Sequence, residues 1–238
     1  MVDSESKLVW ALRGMRAVVS IPAAILLTSM AGYGVLCRES GLSFGQAIFS
    51  TAAIWALPSQ VVLVSGIAKG ASLPVTAIGV ALSAIRLMPM IASWVPLVRT
   101  ETTRPWQLYV LAHFVAVTSW VVSTLRLPAI PPHGRVPFFA GFGITLTTGG
   151  TVVTGLTYAL ASGLPPVLAG VLFFLTPIYF LTALTASARL NAERLALATG
   201  LLLGPLFRYA EVPLDLVWAG LTGGFLAYAG HPLLARPR

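Results

Sequence analysis

The feature that most constrains this chain is a succession of apolar stretches long enough to cross a lipid bilayer, separated by short charged segments. A helix needs about 20 apolar residues to cross a hydrocarbon core about 30 Å thick. Reading between the charges gives eight candidate stretches, at 17–37, 46–66, 72–98, 107–125, 136–162, 164–186, 196–207 and 213–229. We therefore predict an all-α, polytopic helical membrane protein with seven or eight spans, some of them broken by proline.

Composition supports this interpretation and excludes other classes. Only 9% of the 238 residues are charged and 57% are hydrophobic, whereas about 25% of a typical soluble domain is charged. A monomeric soluble globule, a disordered chain and a coiled coil are thereby excluded, and the lone Cys37 excludes an internal disulfide. Eight spans would occupy about 160 residues. We therefore expect a single transmembrane domain over 1–238.

The seventh stretch, 196–207, is too short to cross the bilayer unless it borrows 191–195. The alternative is a re-entrant half helix whose ends are covered by protein or by a polar cavity. The tripeptide Ser-Gly-Leu precedes a proline-containing stretch at 40–42 and again at 162–164. This echo predicts an internal repeat with halves 17–105 and 107–235, and chance similarity is the alternative.

The net charge of +8 reflects an excess of Lys and Arg over acids. In an eight-span arrangement with the N-terminus inside, ten basic residues fall in inside segments and four in outside segments. The positive-inside rule then predicts cytoplasmic termini, although a re-entrant seventh stretch would move the C-terminus outside. No basic run exceeds two residues, so we expect no nucleic-acid partner. The basic start followed by 17–37 resembles a signal peptide, but the stretch is long enough to be a retained span.

The sequence carries none of the motifs that would indicate common catalytic classes. It has no P-loop, no G-x-S-x-G and no H-E-x-x-H. The three histidines lie in different segments. We predict no enzyme activity, no metal site and no cofactor. A membrane enzyme is the alternative, and it would need a nucleophile and a base that we do not find.

Arg86 is the most informative single residue. It lies about 12 residues from each end of 72–98, with roughly 18 Å of regular helix on either side. A central arginine costs about 2.5–3.5 kcal/mol on insertion scales. Because no acid is clearly at mid-membrane, we predict that Arg86 engages a substrate carboxylate. The alternative is that Pro89 breaks this helix, so that backbone carbonyls or Asp215 satisfy Arg86 structurally.

The second stretch contains the polar element Pro58-Ser59-Gln60. Proline removes a backbone donor and frees the carbonyl of Ile54, and the next two side chains add donors and acceptors at the same level. A helix break within lipid is tolerated where it lines a cavity or packs on protein. We predict a polar binding site here, and a kink satisfied by neighbouring helices is the alternative.

Two further features have structural and functional interpretations. The fifth stretch is rich in small and hydroxylated residues, which predicts tight helix packing, with pore lining as the alternative: Thr145, Thr147, Thr148, Gly149, Gly150, Thr151 and Thr154. His113 and Asp215 are candidates for a proton relay. The alternative for His113 is a hydrogen bond within the bundle.

A series of short elements in chain order resembles a known family. They are Ile21-Pro22, Gly32-Tyr33-Gly34-Val35-Leu36, Glu39-Ser40-Gly41-Leu42-Ser43, Ala47-Ile48-Phe49-Ser50, Pro58-Ser59-Gln60, Arg86-Leu87-Met88 and Phe173-Phe174-Leu175-Thr176-Pro177. In order and spacing they resemble the AzlC-type family of branched-chain amino-acid permeases. The resemblance is good over roughly 21–98 and generic beyond.

Three positions depart from the family pattern. Pro58 stands where the family usually has alanine, and Leu87 stands where its histidine follows the arginine. The fourth stretch reads Val-Thr-Ser-Trp at 117–120, where the corresponding span of the family has a segment like Thr-Asp-Glu. If the missing acid binds the substrate amine or carries coupling protons, this protein uses another substrate or another coupling.

The resemblance implies an inner-membrane exporter of branched-chain or other hydrophobic amino acids, working with a small AzlD-type membrane subunit. Our hypothesis is a secondary transporter with a midplane site, in which Arg86 engages the carboxylate and Ser59 and Gln60 give polar contacts. Apolar neighbours would hold an aliphatic side chain: Trp55, Met88 and Met90. The alternative is a non-catalytic scaffold, or a permease subunit energised by a separate ATPase. Assembly with further copies of the chain is left open.

Overall fold

The computed structural model describes residues 6–163, individual positions between 165 and 185, and residues 191–211 and 215–234. The described residues are mostly helical, and no strand occurs among them. The prediction of an all-α protein is confirmed. Contacts between Cα atoms divide the chain into two units, Met1–Thr176 and Pro177–Arg238, which are described separately.

The first unit contains nine described helices joined by short connections. In chain order they are α1 (Lys7–Arg16), α2 (Ile21–Glu39), α3 (Phe44–Ala53), α4 (Leu57–Ala68), α5 (Leu73–Ala84), α6 (Leu87–Val98), α7 (Pro105–Ala112), α8 (Val117–Arg126) and α9 (Pro132–Leu160).

Only α2 and α9 are single helices long and apolar enough to cross a membrane, within the part of the chain that the structure describes. The pair α5 and α6, bent by 47°, makes a third candidate if it counts as one span. Seven or eight spans are therefore not established. The physical reason is that the predicted stretches 46–66, 72–98 and 107–125 are each divided into two short helices.

We call the divisions the first break (54–56), the second break (85–86) and the third break (113–116). Pro58 occupies the first turn of α4, where a missing N–H leaves no hydrogen bond unmade. Pro89 likewise lies in the first turn of α6. Each proline therefore lies in the first turn of the second helix of its pair. The backbone leaves the helical conformation at Ile54 and Ala56 of the first break, whereas Ile85 and Arg86 keep helical dihedral angles and the second break is a bend.

The third break has no proline. Ala116 is extended there, and its N–H donates to the Ser119 hydroxyl oxygen at 2.8 Å. That hydroxyl in turn donates to the carbonyl oxygen of Phe114 at 2.7 Å. A single serine in an apolar stretch thus satisfies backbone groups that the break would otherwise leave unpaired.

The 29-residue helix α9 is the element on which the first unit is assembled. A Cβ on Gly14 of α1 would overlap the carbonyl oxygen of Phe138, and one on Gly34 of α2 would overlap the carbonyl oxygen of Thr154. A Cβ on Gly150 would lie 2.8 Å from the ring of Trp55. The prediction of tight packing in this small-residue stretch is confirmed.

The second unit contains α10 (Asn191–Tyr209) and α11 (Asp215–Leu234). They pack closely, and the Thr199 hydroxyl donates to the carbonyl oxygen of Gly223 at 3.2 Å. Helix α10 includes 191–195 and has 19 residues, yet it is not among the described helices that are apolar enough to cross a membrane, so whether 196–207 spans is not established. Most of the sixth stretch, 164–186, lies outside the described residues, as does Pro177, so the predicted repeat is not established.

Candidate functional site

The first break brings two helix ends together inside the first unit. Trp55, Ala56 and Leu57 are all buried, so α3 ends and α4 begins away from the surface. The last carbonyls of a helix and its first amides have no partners within that helix. Here the carbonyl oxygen of Ser50 accepts from the Ile54 N–H at 2.9 Å, and the N–H of Gln60 donates to Ala56 at 3.0 Å.

Five buried polar side chains from four helices meet beside this break, and we call them the break cluster: Tyr33, Ser50, Thr51, Gln60 and Thr154. The Tyr33 hydroxyl donates to the Ser50 hydroxyl oxygen at 2.8 Å, because the Ser50 proton is given to the carbonyl of Ala47. The amide nitrogen of Gln60 donates to the Ser50 carbonyl at 3.4 Å. The break cluster thereby ties α2 to α3 and α3 to α4.

Helix α9 completes the break cluster. The hydroxyl oxygens of Thr51 and Thr154 are 3.4 Å apart, and Thr154 donates to the carbonyl oxygen of Met30 at 3.4 Å. One turn earlier on the same face of α9, Gly150 contacts the Trp55 ring, and a further turn earlier lies Thr147. This face of α9 therefore forms one wall beside the first break.

Four buried polar atoms of the first break, the start of α4 and α9 have no hydrogen-bond partner among the described residues: Trp55 Nε1, Ser59 Oγ, Gln60 Oε1 and Thr147 Oγ1. Ser59 and Gln60 are both 0% exposed, and Trp55 is 4% exposed. Buried polar atoms are usually bonded, and leaving one unpaired costs about 1–3 kcal/mol. Two hydroxyls, one N–H donor and one amide acceptor are therefore without a hydrogen-bond partner in this part of the protein.

The predicted residues Trp55, Pro58, Ser59 and Gln60 lie together at the first break. His113, at the third break, places Nε2 2.9 Å from the carbonyl oxygen of Ala52, so the ring nitrogen donates to the end of α3. This is the hydrogen bond within the bundle that the sequence left as an alternative. A proton relay through His113 stays a prediction.

Arg86 lies at the second break, as the residue that precedes α6. It is half-buried and already takes part in an interaction of the chain. Helix α5, which ends just before it, packs on α4, where a Cβ on Gly66 would lie 2.7 Å from the Thr76 hydroxyl. Met88 is 67% exposed and lines no part of the first break. The side chain of Asp215 lies outside the described residues.

Sequence reasoning found the first break but missed the residues that form hydrogen bonds beside it. Tyr33 and Ser50 entered only through the family resemblance, and Thr154 only as a packing residue. One signal was available: Ser50 and Thr51 are adjacent hydroxylated residues one turn before the Trp55 position. Their partners on α2 and α9 are distant in sequence, so no spacing rule finds them.

A family model described as "AzlC protein" matches residues 22–164, well over half of the chain. The chain belongs to the AzlC family. No curated protein and no solved structure matches it significantly. The matched region runs from α2 to the end of α9, so it includes all three breaks and the whole break cluster. The predicted resemblance is confirmed.

Membership in the AzlC family, together with the apolar helices, makes this a membrane protein of a family associated with branched-chain amino-acid transport. The family is a transport-associated one rather than an enzymatic one. The segment 117–120, which reads Val-Thr-Ser-Trp, carries no acid. Thr118 and Ser119 are buried there, and Ser119 is used by the third break.

Proposed function

We propose that this AzlC-family chain is an inner-membrane secondary transporter that exports branched-chain or other hydrophobic amino acids by alternating access. We propose further that the substrate binds at the first break. The observation that carries the proposal is the set of unpaired buried polar atoms on Trp55, Ser59 and Gln60, placed where two helix ends meet.

The first break offers a positive and a negative pole side by side. A helix carries about half a positive charge at its N-terminus and about half a negative charge at its C-terminus. The N-terminus of α4 and the C-terminus of α3 are separated by three residues, 54–56. An α-amino acid carries a carboxylate and an ammonium on adjacent atoms. Such a break therefore complements a zwitterion without any charged side chain.

The unpaired side-chain atoms have the matching chemistry. The Ser59 hydroxyl and the Trp55 indole N–H can donate to a carboxylate, and Gln60 Oε1 can accept from an ammonium. The last carbonyls of α3 add further acceptors. Neutral acceptors would then bind the substrate ammonium in a chain that reads Val-Thr-Ser-Trp, without an acid, at 117–120.

We assign the aliphatic side chain of the substrate to the apolar surface where Trp55 and Met30 meet at Gly150. Ser59 and Gln60 are wholly buried, so a substrate reaches them only after the surrounding helices move. This requirement is what alternating access supplies. Breaks in three successive helix pairs provide short segments that can rotate without unfolding a complete span.

Arg86 is a further residue to which we assign a role in substrate binding. We propose that it engages the substrate carboxylate together with the N-terminus of α4, since α5 joins the second break to α4 by direct packing.

The N-terminus of the chain is proposed to be cytoplasmic, and a small AzlD-type subunit is proposed as a partner. Met88 is proposed only as part of the path, because it is mostly exposed.

Export of radiolabelled leucine, valine and methionine from loaded membrane vesicles tests the proposal. We expect Ser59→Ala and Gln60→Leu to raise the substrate concentration for half-maximal export about tenfold or more, because a hydrogen bond to a charged group contributes about 1.5–3 kcal/mol. Ser65→Ala is the matched control, since Ser65 is half-buried in the same helix and away from the break.

Three outcomes would contradict the proposal. Unchanged export in Ser59→Ala and Gln60→Leu would remove the first break from substrate binding. A strict requirement for ATP in vesicles would favour the permease subunit energised by a separate ATPase. No export by the wild type, even with an AzlD-type subunit and an imposed ion gradient, would favour a scaffold.

A further inference from the structure

A second site lies where α1 approaches the end of α8 and the start of α9. It is a cavity of about 500 Å³, and three arginines from two elements line it: Arg13, Arg16 and Arg126. Trp10 and Phe138 form part of its apolar lining. This cavity, which we call the arginine pocket, shares no lining residue with the first break.

The arginine pocket concentrates positive charge in a small volume. A cavity of this size is about 10 Å across, which is comparable with the Debye length of about 8 Å at physiological ionic strength. The three arginine side chains are exposed, so solvent and salt partly screen the positive charge that they bring to this pocket. The described residues that line the pocket include no carboxylate. An external anion would meet forked donors suited to phosphate oxygens.

Trp10 supports a ligand in the same place. The Arg13 guanidinium lies over its ring, 4.5 Å from the centroid, so Arg13 is held in position by a cation–π contact. The indole Nε1 of Trp10 is buried without a hydrogen-bond partner among the described residues. The ring also packs against Gly134 of α9, where a Cβ would lie 2.7 Å away. The wall of the pocket is therefore preorganised.

The position of α1 indicates what kind of anion. Its residues Leu8, Leu12 and Met15 are exposed and follow one face of the helix at i, i+4 and i+7. The membrane-spanning helix α2 begins only five residues after α1 ends. Amphipathic helices of this kind bind the headgroup layer, with the apolar face toward the acyl chains. The arginine pocket then opens at the depth of the lipid phosphates.

We propose that the arginine pocket binds the phosphate group of an anionic phospholipid. Arg16 and Arg126 contact the phosphate oxygens from α1 and α8, and the exposed apolar face of α1 contacts the acyl chains. Basic pockets between helices at a membrane surface bind such headgroups in this way. The bound lipid would hold α1 against α9, and it would do so whether or not the first break binds an amino acid.

The full-length protein in nanodiscs or detergent, titrated with phosphatidylglycerol or phosphatidylcholine and followed by thermal unfolding and native mass spectrometry, tests this proposal. We expect phosphatidylglycerol, and not phosphatidylcholine, to be retained and to raise the melting temperature. The double variant R16Q/R126Q should bind phosphatidylglycerol about 30-fold more weakly, since each basic residue near an anionic surface contributes about fivefold.

Two variant pairs act as controls. R99Q/R104Q removes the same charge away from the arginine pocket and should bind like the wild type. R16K/R126K keeps both charges, and should bind more tightly than the glutamine pair, which also tests for a folding defect. Equal weakening in R99Q/R104Q and R16Q/R126Q, or no weakening in either, would overturn the proposal.

Inorganic phosphate separates the two sources of this chemistry. We expect millimolar phosphate neither to displace phosphatidylglycerol nor to raise the melting temperature, because it offers no acyl chains to α1. Displacement by phosphate, with the same dependence on Arg16 and Arg126, would identify a site for free phosphate and would overturn the assignment to lipid.

Discussion

Tyr33 and Ser50 illustrate how single residues hold the first break in place. Tyr33 is wholly buried in α2, and its hydroxyl makes a 2.8 Å hydrogen bond to Ser50 of α3. The backbone carbonyl of Ser50 also accepts a hydrogen bond from the side-chain amide of Gln60. A side chain on α2 thereby fixes the helix end that precedes the break.

We expect Tyr33→Phe to lower the free energy of unfolding by about 1–2 kcal/mol, because it leaves the buried Ser50 hydroxyl without its donor. Thermal or denaturant unfolding in detergent measures this. Tyr109→Phe is the control, since Tyr109 is 81% exposed, and it should change stability little. Equal effects of both substitutions would mean that the bond to Ser50 does not stabilise the break.

At the level of helices, the close packing of α1 and α2 on α9 organises the first unit. Gly34 of α2 faces Thr154 and Thr157 with no room for a Cβ, and Thr154 belongs to the small and hydroxylated set identified from the sequence. The same contact places the wall of α9 beside the first break. Packing and site geometry therefore depend on the same small residues.

Gly34→Ala should destabilise the protein by about 1–3 kcal/mol, because overpacking a close helix contact forces the backbones apart. Gly45→Ala is a matched control within α3, since nothing lies within 4 Å of a Cβ there. It should be neutral or stabilising by up to about 1 kcal/mol, because alanine favours helix. Thermal unfolding of the two variants compares them directly. A stable Gly34→Ala protein would contradict the close packing of α2 on α9.

The division of the predicted spans shows how far sequence reasoning reaches at the level of elements. A break at Pro58 was predicted, and Pro89 was weighed as the cause of a second. The third break carries no proline, and its stabilising Ser119 is inconspicuous among apolar residues. Hydropathy averages over such a serine, so three broken pairs looked like three continuous spans.

For the whole molecule, the sequence predicted an apolar helical protein and the family, whereas the assembly of the site could not be predicted. The polar residues at Ser59 and Gln60 were found from the sequence. Their neighbours Tyr33 and Thr154 are brought to them only by the packing of α2 and α9. Arg86, on which the sequence argument relied most, lies at the second break instead of among them.

The central claim is that the ends of α3 and α4 recognise a zwitterion, and ligand binding to the purified protein tests it most directly. Titration calorimetry would compare leucine with 4-methylpentanoate, which lacks the ammonium, and with leucinamide, which lacks the carboxylate. We predict that each analogue binds about tenfold or more weakly than leucine, since each leaves one pole unpaired, and that Ser59→Ala weakens leucine binding while Ser65→Ala does not. Binding of either analogue as tight as that of leucine would contradict the account.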